Sequence, residues 1–348
     1  MSTLRERNFR RLKQSIAGEA SDGHAVFHFY TFPFFQSVTG VKLDDYFHKP
    51  NITLESQIEA LETLEGIGNP VPDMGSVAEA SGLGGIVQFD ENGYISVHPN
   101  PEIANAEDVD DLDWMEPGDP YGDNYMRQAL ETLQYMVDHC PKGYKVNPHP
   151  IMGPFTVGAS LRGIGDFCAD TIAEPDLVNN VMDVVIETQI RFMRAQEEIL
   201  GSLHHIFLAD DLSAFLSEAA YREFILPGYQ RLFKEFPNTQ RWLHNDSTAR
   251  HVAPAIADSG MVAWQYLPSI NPHEALELTK GKVSLLGGLS PLDLQKWTAD
   301  ETYENCTQLL KSFSGNTKFV LAAGGSINQV PIDNLMAMFK AADDYKID

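Results

Sequence analysis

From about residue 200 onward, short apolar runs alternate with longer stretches of helical periodicity. The apolar runs cover residues 205–208, 241–243, 261–266, 283–286 and 318–321, and the helical stretches cover residues 218–236, 248–259, 272–279, 291–311 and 331–345. Strands separated by helices are typical of βαβ units and a parallel sheet. A barrel of eight such units needs roughly 250 residues, which this chain of 348 residues provides. We therefore predict an α/β fold, a (β/α)8 TIM barrel.

The first 200 residues are less regular and predict elaborations on that barrel. We expect helices at residues 4–16, 123–140 and 174–200, a strand at 24–30, extended chain at 144–157, and a hairpin of residues 84–89 and 94–98 around Asp90-Glu91-Asn92-Gly93. The opening helix is basic and amphipathic, a pattern found in packed helices and in helices on membrane surfaces. Its short length and the strand after it favour packing. No repeat or low-complexity linker interrupts the chain, so we predict a single domain over residues 1–348.

The charge balance excludes one class of partner. The chain carries 49 acidic and 25 basic residues, a formal charge of −24, and a nucleic-acid polyanion is repelled by such a field. No window resembles a membrane span or a secretory leader. Cys140, Cys168 and Cys306 are widely spaced and predict reduced thiols. We therefore expect a cytoplasmic protein without nucleic-acid or membrane partners.

Polar residues follow most of the predicted barrel strands at the point where each strand ends. The strand ends read Ala209-Asp210-Asp211, His244-Asn245-Asp246, Gln265-Tyr266, Gly287-Gly288 and Gly324-Gly325-Ser326. The active site of a barrel enzyme is assembled at the carboxyl ends of its strands. Each acidic residue has an alternative as a cap of the following helix, Asp246 before Ser247-Thr248 above all. Five strands ending in this way favour one shared site.

At these residues the chain resembles the uroporphyrinogen decarboxylase-like superfamily, and within it the cobalamin-dependent methyltransferase branch. The resemblance covers nearly the whole chain, and its motifs are Arg5-Glu6-Arg7, Thr39-Gly40, Ile151-Met152-Gly153-Pro154-Phe155-Thr156, Ala209-Asp210-Asp211, Leu216-Ser217-Glu218, Phe224-Ile225-Leu226-Pro227, Leu243-His244-Asn245-Asp246 and Gly324-Gly325. The family's fold is the barrel predicted above.

Two departures from the family patterns narrow the expected chemistry. Porphyrinogen decarboxylases hold substrate carboxylates with an Arg-rich segment after the first strand, where this chain has Tyr30-Thr31-Phe32-Pro33-Phe34-Phe35. A polycarboxylate lacks its guanidinium partners there. Thiol-methylating members hold zinc with a His-x-Cys pair and a later Cys, where this chain has His244-x-Asp246 and Gly324-Gly325. An imidazole–carboxylate site is harder than a thiolate site and favours an oxygen ligand.

The resemblance therefore implies a corrinoid-dependent methyltransferase that moves a methyl group from a small donor, such as an aromatic methyl ether, to the cob(I)alamin of a separate corrinoid protein. A corrinoid-binding signature is absent from the sequence, so the cobalamin is expected on that partner; a homodimer is possible. The alternatives are a decarboxylase or other lyase acting on a small carboxylate, and a non-catalytic binding protein. Both predict no stoichiometric zinc.

The predicted site residues follow from these expectations. His244 is expected to polarise the donor oxygen, through zinc or as a general acid oriented by Asp246. Some related enzymes bind zinc with Glu and His far apart in sequence, and Glu223 precedes His244 at a similar spacing; its alternative is an exposed helical residue. In full, the predicted catalytic residues are His244, Asp246, Asp210 and Asp211, the substrate-binding residues are Tyr30, Phe32, His149, Gln265 and Gly325, and the zinc ligands are His244, Glu223 and Asp246.

Overall fold

A computed structural model describes residues 2–89, 95–313 and 316–347. The helices and strands, in chain order, are α1 Leu4–Ala17, β1 Val26–Phe29, α2 Phe32–Thr39, α3 Leu43–His48, α4 Pro50–Glu62, α5 Ala78–Gly82, β2 Ile86–Phe89, β3 Ile95–His98, α6 Pro101–Ala104, α7 Tyr125–His139, β4 Ile151–Met152, α8 Pro154–Arg162, α9 Ile164–Ala173, α10 Pro175–Leu200, β5 His205–Ala209, α11 Glu218–Ala220, α12 Leu226–Glu235, β6 Gln240–Asn245, α13 Ala253–Ile256, β7 Ala263–Tyr266, α14 Pro272–Leu278, β8 Ser284–Leu289, α15 Pro291–Lys296, α16 Ala299–Ser312, β9 Phe319–Ser326 and α17 Ile332–Asp344.

The chain divides into two compact units. The first unit comprises Met1–Tyr46, Ile52–Pro70 and Trp242–Asp348, and the second comprises Phe47–Asn51 and Val71–Arg241. This division does not test the predicted single domain, which stays a prediction.

The first unit is built on parallel strands in the order β1-β9-β8-β7-β6. Helices alternate with these strands along the chain, as the apolar rhythm predicts. A core cluster of Ile16, Ala25, Ala263, Leu286, Val320 and Ala322 packs between strands and helix α1. This alternation confirms the predicted α/β class.

Helix α1 is a packed helix. It begins at a capping box of Thr3 and Glu6, which satisfies two otherwise unpaired backbone N–H groups. The Asn8 side chain accepts from the Val26 N–H at 2.8 Å and donates to the Val26 carbonyl at 2.9 Å. Arg11 is buried and pairs with Asp22 and Asp343. These contacts confirm packing over the membrane-surface alternative.

The second unit contains the parallel pair β4–β5, the antiparallel hairpin β2–β3 and helices α5 to α12. Helix α10 is a single helix of 26 residues with one buried face. Between α11 and α12 lies a π-helical turn, Tyr221–Ile225; Pro227 has no N–H for the carbonyl four residues earlier, which favours such a turn. The predicted hairpin strands are confirmed, whereas the predicted turn residues Asp90, Glu91, Asn92 and Gly93 lie outside the described residues.

Several predicted boundaries differ from the structure. Strands β5, β6, β8 and β9 run one to five residues farther than the apolar runs, because glycines and polar residues continue the extended chain at strand ends. The extended prediction for residues 144–157 is wrong after Gly153, where Pro154 opens helix α8, a position that proline favours. The helix predicted at 248–259 is only Ala253–Ile256. Within the described residues, no helix is long and apolar enough to cross a membrane.

Candidate functional site

His244 lies near the carboxyl end of β6 in the first unit and is 4% exposed. Its register partner on β7 is Gln265, and side chains of register partners lie on the same face of a sheet. The His244 Nδ1 and Gln265 Oε1 atoms are 2.8 Å apart. The predicted position of His244 at a strand end is confirmed, and the structure brings it together with a second predicted residue.

The hydrogen bonds of Gln265 assign the direction of this contact. Its Nε2 donates to the carbonyls of Ala323 at 2.8 Å and Gly325 at 3.2 Å. The amide oxygen therefore faces His244, and an amide oxygen only accepts. His244 Nδ1 must donate, so a neutral imidazole carries its lone pair on Nε2.

Asp246 lies beside that second ring nitrogen. Its Oδ2 is 3.9 Å from His244 Nε2, and its side chain is 47% exposed. The capping alternative fails for Asp246, because α13 begins only at Ala253 and the Ser247 N–H donates to Asn245 instead. An imidazole nitrogen and a carboxylate oxygen on adjacent sides are two of the donors that zinc accepts. The donor set therefore fits part of a zinc site.

An aromatic ring covers the imidazole of His244. The ring centroids of Phe29 and His244 are 4.8 Å apart. Two residues earlier on the same two strands, the ring centroids of Phe27 and Trp242 are 5.6 Å apart. His28, which alternates with them, packs on Phe339 of α17 at 5.1 Å. Phe29 is thus the aromatic of this segment beside His244, a residue missing from the predicted site. The period-two alternation of a strand, applied to β1, was the signal that identifies it.

Gly325 faces Asp246. A Cβ on Gly325 would lie 3.5 Å from Asp246 Oδ2, whereas a Cβ on Gly324 would lie 2.4 Å from the Tyr266 carbonyl oxygen. Gly324 is needed because β9 and the end of β7 approach so closely, and Gly325 places no side chain next to the carboxylate. Gly325 therefore borders the His244–Asp246 pair, and its substrate-binding role stays a prediction.

Tyr30 and Phe32, also predicted to bind substrate, make the contacts of core residues. The Tyr30 hydroxyl donates to the Ile67 carbonyl at 2.8 Å, and burial raises the pKa of its phenol. Phe32 is 5% exposed and lies 5.0 Å from the Tyr46 ring. Nothing in these contacts supports substrate binding, which stays a prediction for both residues.

Asp210 forms a buried network in the second unit. Its Oδ1 accepts from the Thr156 N–H at 3.1 Å and the Thr156 hydroxyl at 2.7 Å, and its Oδ2 accepts from the Tyr229 hydroxyl at 2.7 Å. Burial raises the pKa of the Asp210 carboxyl to about 6, against the effect of these donors. Asp210 therefore caps the N-terminal turn of α8, and not the helix that follows it in sequence.

This network explains one family motif. A Cβ on Gly153 would lie 1.8 Å from Asp210 Cγ, so the carboxyl fits only against a glycine. Thr156, three residues on, supplies two of the three donors. The Gly-Pro-Phe-Thr segment of the chain is thus shaped around one buried carboxyl group.

Asp211 and Glu223 are placed less distinctively in the second unit. Asp211 is half-buried and begins the 3-10 turn Leu212–Phe215 without capping it through its side chain. Glu223 is exposed in the π-helical turn. The catalytic role of Asp211 and the zinc-binding role of Glu223 stay predictions.

His149, also of the second unit, is 3% exposed, and burial lowers the pKa of its imidazole to about 4. It borders a cavity of ≈ 10 Å³ with Met193, His205 and other residues. Such a volume admits about one water molecule and is far too small for an aromatic substrate. Its substrate-binding role therefore finds no support in this cavity.

Glu79 is a buried acid that sequence reasoning missed. Its side chain is 0% exposed, it accepts from the Met152 N–H at 2.9 Å, and burial raises its pKa to about 7. The signal in the sequence was an acid between two alanines in a segment of small residues, Ala78-Glu79-Ala80.

A comparison with family models identifies the chain. The model described as uroporphyrinogen decarboxylase (URO-D) matches residues 30–345. The chain belongs to this family. The family expectation drawn from the motifs is confirmed, and the match includes His244, Asp246 and the Asp210 network.

Two relatives refine the placement. The chain is 26% identical over 200 residues to the methylated-thiol–coenzyme M methyltransferase of Methanosarcina mazei, which covers 57% of this chain and 53% of the relative. It thus spans about half the length of that curated relative. A solved structure of a methyltransferase from Methanosarcina mazei matches 99% of both chains with a TM-score of 0.81 and 20% identity. This structural match confirms the predicted URO-D-type α/β barrel fold.

Proposed function

We propose that this URO-D family protein is a corrinoid-dependent methyltransferase that uses the His244–Asp246 pair. The observation that carries the proposal is the arrangement of His244: Nδ1 is bound to Gln265 at 2.8 Å, and Nε2 lies 3.9 Å from an exposed carboxylate. Both named relatives are methyltransferases, which supports the reaction class.

The reaction breaks the bond between the methyl carbon and its donor atom and forms a bond from that carbon to cobalt. The reduced corrinoid of the partner, as the second substrate, would supply the electron pair of the new bond, and the leaving oxygen keeps the pair of the broken bond. An alkoxide or phenolate leaves poorly unless positive charge develops beside it. A protonated His244 held by Asp246 gives a proton to that oxygen as a general acid.

A zinc ion, where bound, supplies Lewis-acid polarisation of the same oxygen. His244 Nε2 and Asp246 Oδ2 are the residues proposed to hold it, with Glu223 as the further predicted ligand. Asp246 is favoured as the carboxylate by its position next to Nε2. Without thiolate ligands, the metal is expected to be removed easily by chelators.

An aromatic methyl ether is the proposed donor. Phe29 presents a ring 4.8 Å from the imidazole, and a donor ring stacking there buries apolar area worth roughly 25 cal/mol per Å². The hard imidazole–carboxylate pair favours oxygen over the sulfur of the relative's methylated thiol. The corrinoid is proposed to arrive on a partner protein.

We further propose that Asp210 is structural. Both of its carboxylate oxygens accept hydrogen bonds from Thr156 and Tyr229 at 0% exposure. Such a group is poorly placed to meet a substrate.

The test is methyl transfer to cob(I)alamin from matched O-methyl and S-methyl donors, with zinc measured on the same gently purified protein. Methylcobalamin formed from methoxy-aromatic donors supports the proposal in full. Formation from methyl thioethers alone retains the methyltransferase and overturns the choice of donor. Absence of methylcobalamin with every donor, together with absence of zinc, favours the lyase or binding-protein alternative.

A further inference from the structure

A buried glutamine links His244 to strand β9. Gln265 is 1% exposed, and its amide makes three hydrogen bonds within the first unit, to His244, Ala323 and Gly325. A substrate-binding role was predicted from its place at a strand end. Both ends of the amide are engaged by the protein at this exposure, so these contacts give no support to the predicted substrate-binding role, which stays a prediction.

The β9 carbonyls fix which way the amide points. Carbonyl oxygens only accept, so Nε2 must face Ala323 and Gly325. A flipped amide would set its oxygen against two carbonyl oxygens in a buried place, where unsatisfied polar atoms cost about 1–3 kcal/mol each. The orientation of the Gln265 amide is therefore determined by backbone carbonyls, which are present whatever side chains β9 carries.

We infer that Gln265 is a positioning residue that holds His244 as the Nδ1–H tautomer. The neutral imidazole then carries its lone pair on Nε2, on the side of Asp246 and Phe29. The consequence for methyl transfer rests on the proposed function, whereas the tautomer is a property of the protein alone.

Asp246 makes this restraint necessary. A carboxylate 3.9 Å from Nε2 attracts a proton to that nitrogen and favours the Nε2–H tautomer. In that form the lone pair would be on Nδ1 and point at the buried Gln265 side, where neither a substrate nor a metal ion can reach it. The Gln265 amide oxygen opposes this effect, because it accepts a hydrogen bond from Nδ1 and so keeps the proton on that nitrogen.

The experiment reads the tautomer directly, by long-range ¹H–¹⁵N NMR of protein labelled on the histidine rings, in alkaline buffer. His244→Asn assigns the signal among the 11 histidines. Gln265→Met removes the acceptor at nearly constant volume, and Gln265→Glu keeps an acceptor facing Nδ1. Gln57→Met is the matched control, because Gln57 is a 0%-exposed glutamine of the same unit that donates to the Tyr46 hydroxyl.

We expect the Nδ1–H pattern in wild type, Gln265→Glu and Gln57→Met, and the Nε2–H pattern in Gln265→Met. Methyl transfer should fall about 10- to 100-fold in Gln265→Met, the range for residues that orient a reacting histidine, and should be partly restored in Gln265→Glu. An Nδ1–H pattern in Gln265→Met overturns the inference.

If Gln265→Met does not fold, the Gln265→Glu spectrum decides: an Nε2–H pattern there contradicts the inference. The two proposals fail separately. A tautomer switch without methyl transfer from any donor, wild type included, removes the proposed function and keeps the positioning role. Methyl transfer by the wild type, with no change of the His244 tautomer in Gln265→Met, keeps the proposed function and removes the positioning role.

Discussion

The two units place polar side chains at the carboxyl ends of parallel strands in the same way but with different outcomes. In the first unit, the buried His244 is the next-to-last residue of β6, and Asp246, which directly follows the strand, is 47% exposed. In the second, Asp210 directly follows β5, is 0% exposed and is bonded on both carboxylate oxygens. The first arrangement leaves a carboxylate partly exposed to solvent. In the second, the carboxyl group is buried and hydrogen-bonded within the protein.

The difference teaches that the role of an acid at a strand end depends on the groups that other strands place opposite it. Gly153, directly after β4, makes room for the Asp210 carboxyl group, and Thr156 donates hydrogen bonds to it. Asp246 faces Gly325, which adds no side chain. Identical residue types therefore serve a network in one unit and a candidate reaction site in the other.

The largest effect expected on stability comes from Gly153→Ala. The new methyl group would lie 1.8 Å from Asp210 Cγ, which forces the buried carboxyl from its donors. We expect a loss of about 3 kcal/mol in the free energy of unfolding, at the upper end of overpacking effects, measured by urea denaturation. Gly165→Ala is the control, because a Cβ there meets nothing within 4 Å. Equal stability of the two variants would show that the Asp210 network is loose.

The pH dependence of stability separates the buried acids from exposed ones. Burial raises the pKa of Glu79 from 4.5 to about 7, so between these values the folded state binds the proton that the unfolded state has lost. Stability contributed by this group is therefore lost as pH rises through that window. Glu79→Gln removes the dependence and should gain about 2 kcal/mol relative to wild type between pH 5 and pH 8.

Urea midpoints of the two proteins at both pH values provide the measurement. Taking the difference between them cancels the contributions of Asp210 and the histidines. A gap that is constant with pH would mean that Glu79 ionises normally in the folded protein.

A smaller effect is expected where a buried cation meets partly exposed acids. Arg11 is 2% exposed, whereas its partners Asp22 and Asp343 are 53% and 24% exposed. Its hydrogen bond helps to lower the pKa of Asp22 to about 2. Arg11→Met should cost about 1–2 kcal/mol, mainly through lost packing and unpaired acids. Arg10 is an exposed partner of the same Asp22, and Arg10→Met should cost under about 0.5 kcal/mol. Equal costs for the two variants would contradict the larger role assigned to the buried Arg11.

The smallest effect concerns the exposed glutamate of the π-helical turn. If Asp246 is the carboxylate that works with His244, Glu223→Gln should change methyl transfer and zinc content by less than about twofold, because exposed groups contribute little. Asp246→Asn is the comparison and should lower both. A larger loss in Glu223→Gln than in Asp246→Asn would restore Glu223 as the principal ligand.

The strand–helix rhythm was enough to predict the fold, since burial of parallel strands imposes apolar runs that survive in the sequence. It also located His244, because a histidine after an apolar run ends a strand. It did not show that Phe29, and not Tyr30, lies beside His244, because that requires knowing which residues of β1 point to which face of the sheet. It also did not show that Asp210 caps α8, because Thr156 lies 54 residues earlier in the chain. Gln265 was found for its position, but its hydrogen bonds could not be predicted, because the orientation of its amide depends on carbonyls of a distant strand.

The central claim is that chemistry occurs at His244 and not at Asp210, and the rate of methyl transfer to cob(I)alamin in two variants tests it most directly. His244→Ala is expected to lose about 10²–10⁴-fold in rate, the range for a positioned acid, while remaining folded at a cost of about 1–3 kcal/mol, because the Gln265 amide oxygen loses its buried partner. Asp210→Asn keeps the shape of its network and should retain the wild-type rate within about threefold, since the amide oxygen can still accept from Thr156. A folded Asp210→Asn without activity, beside an active His244→Ala, would contradict the account.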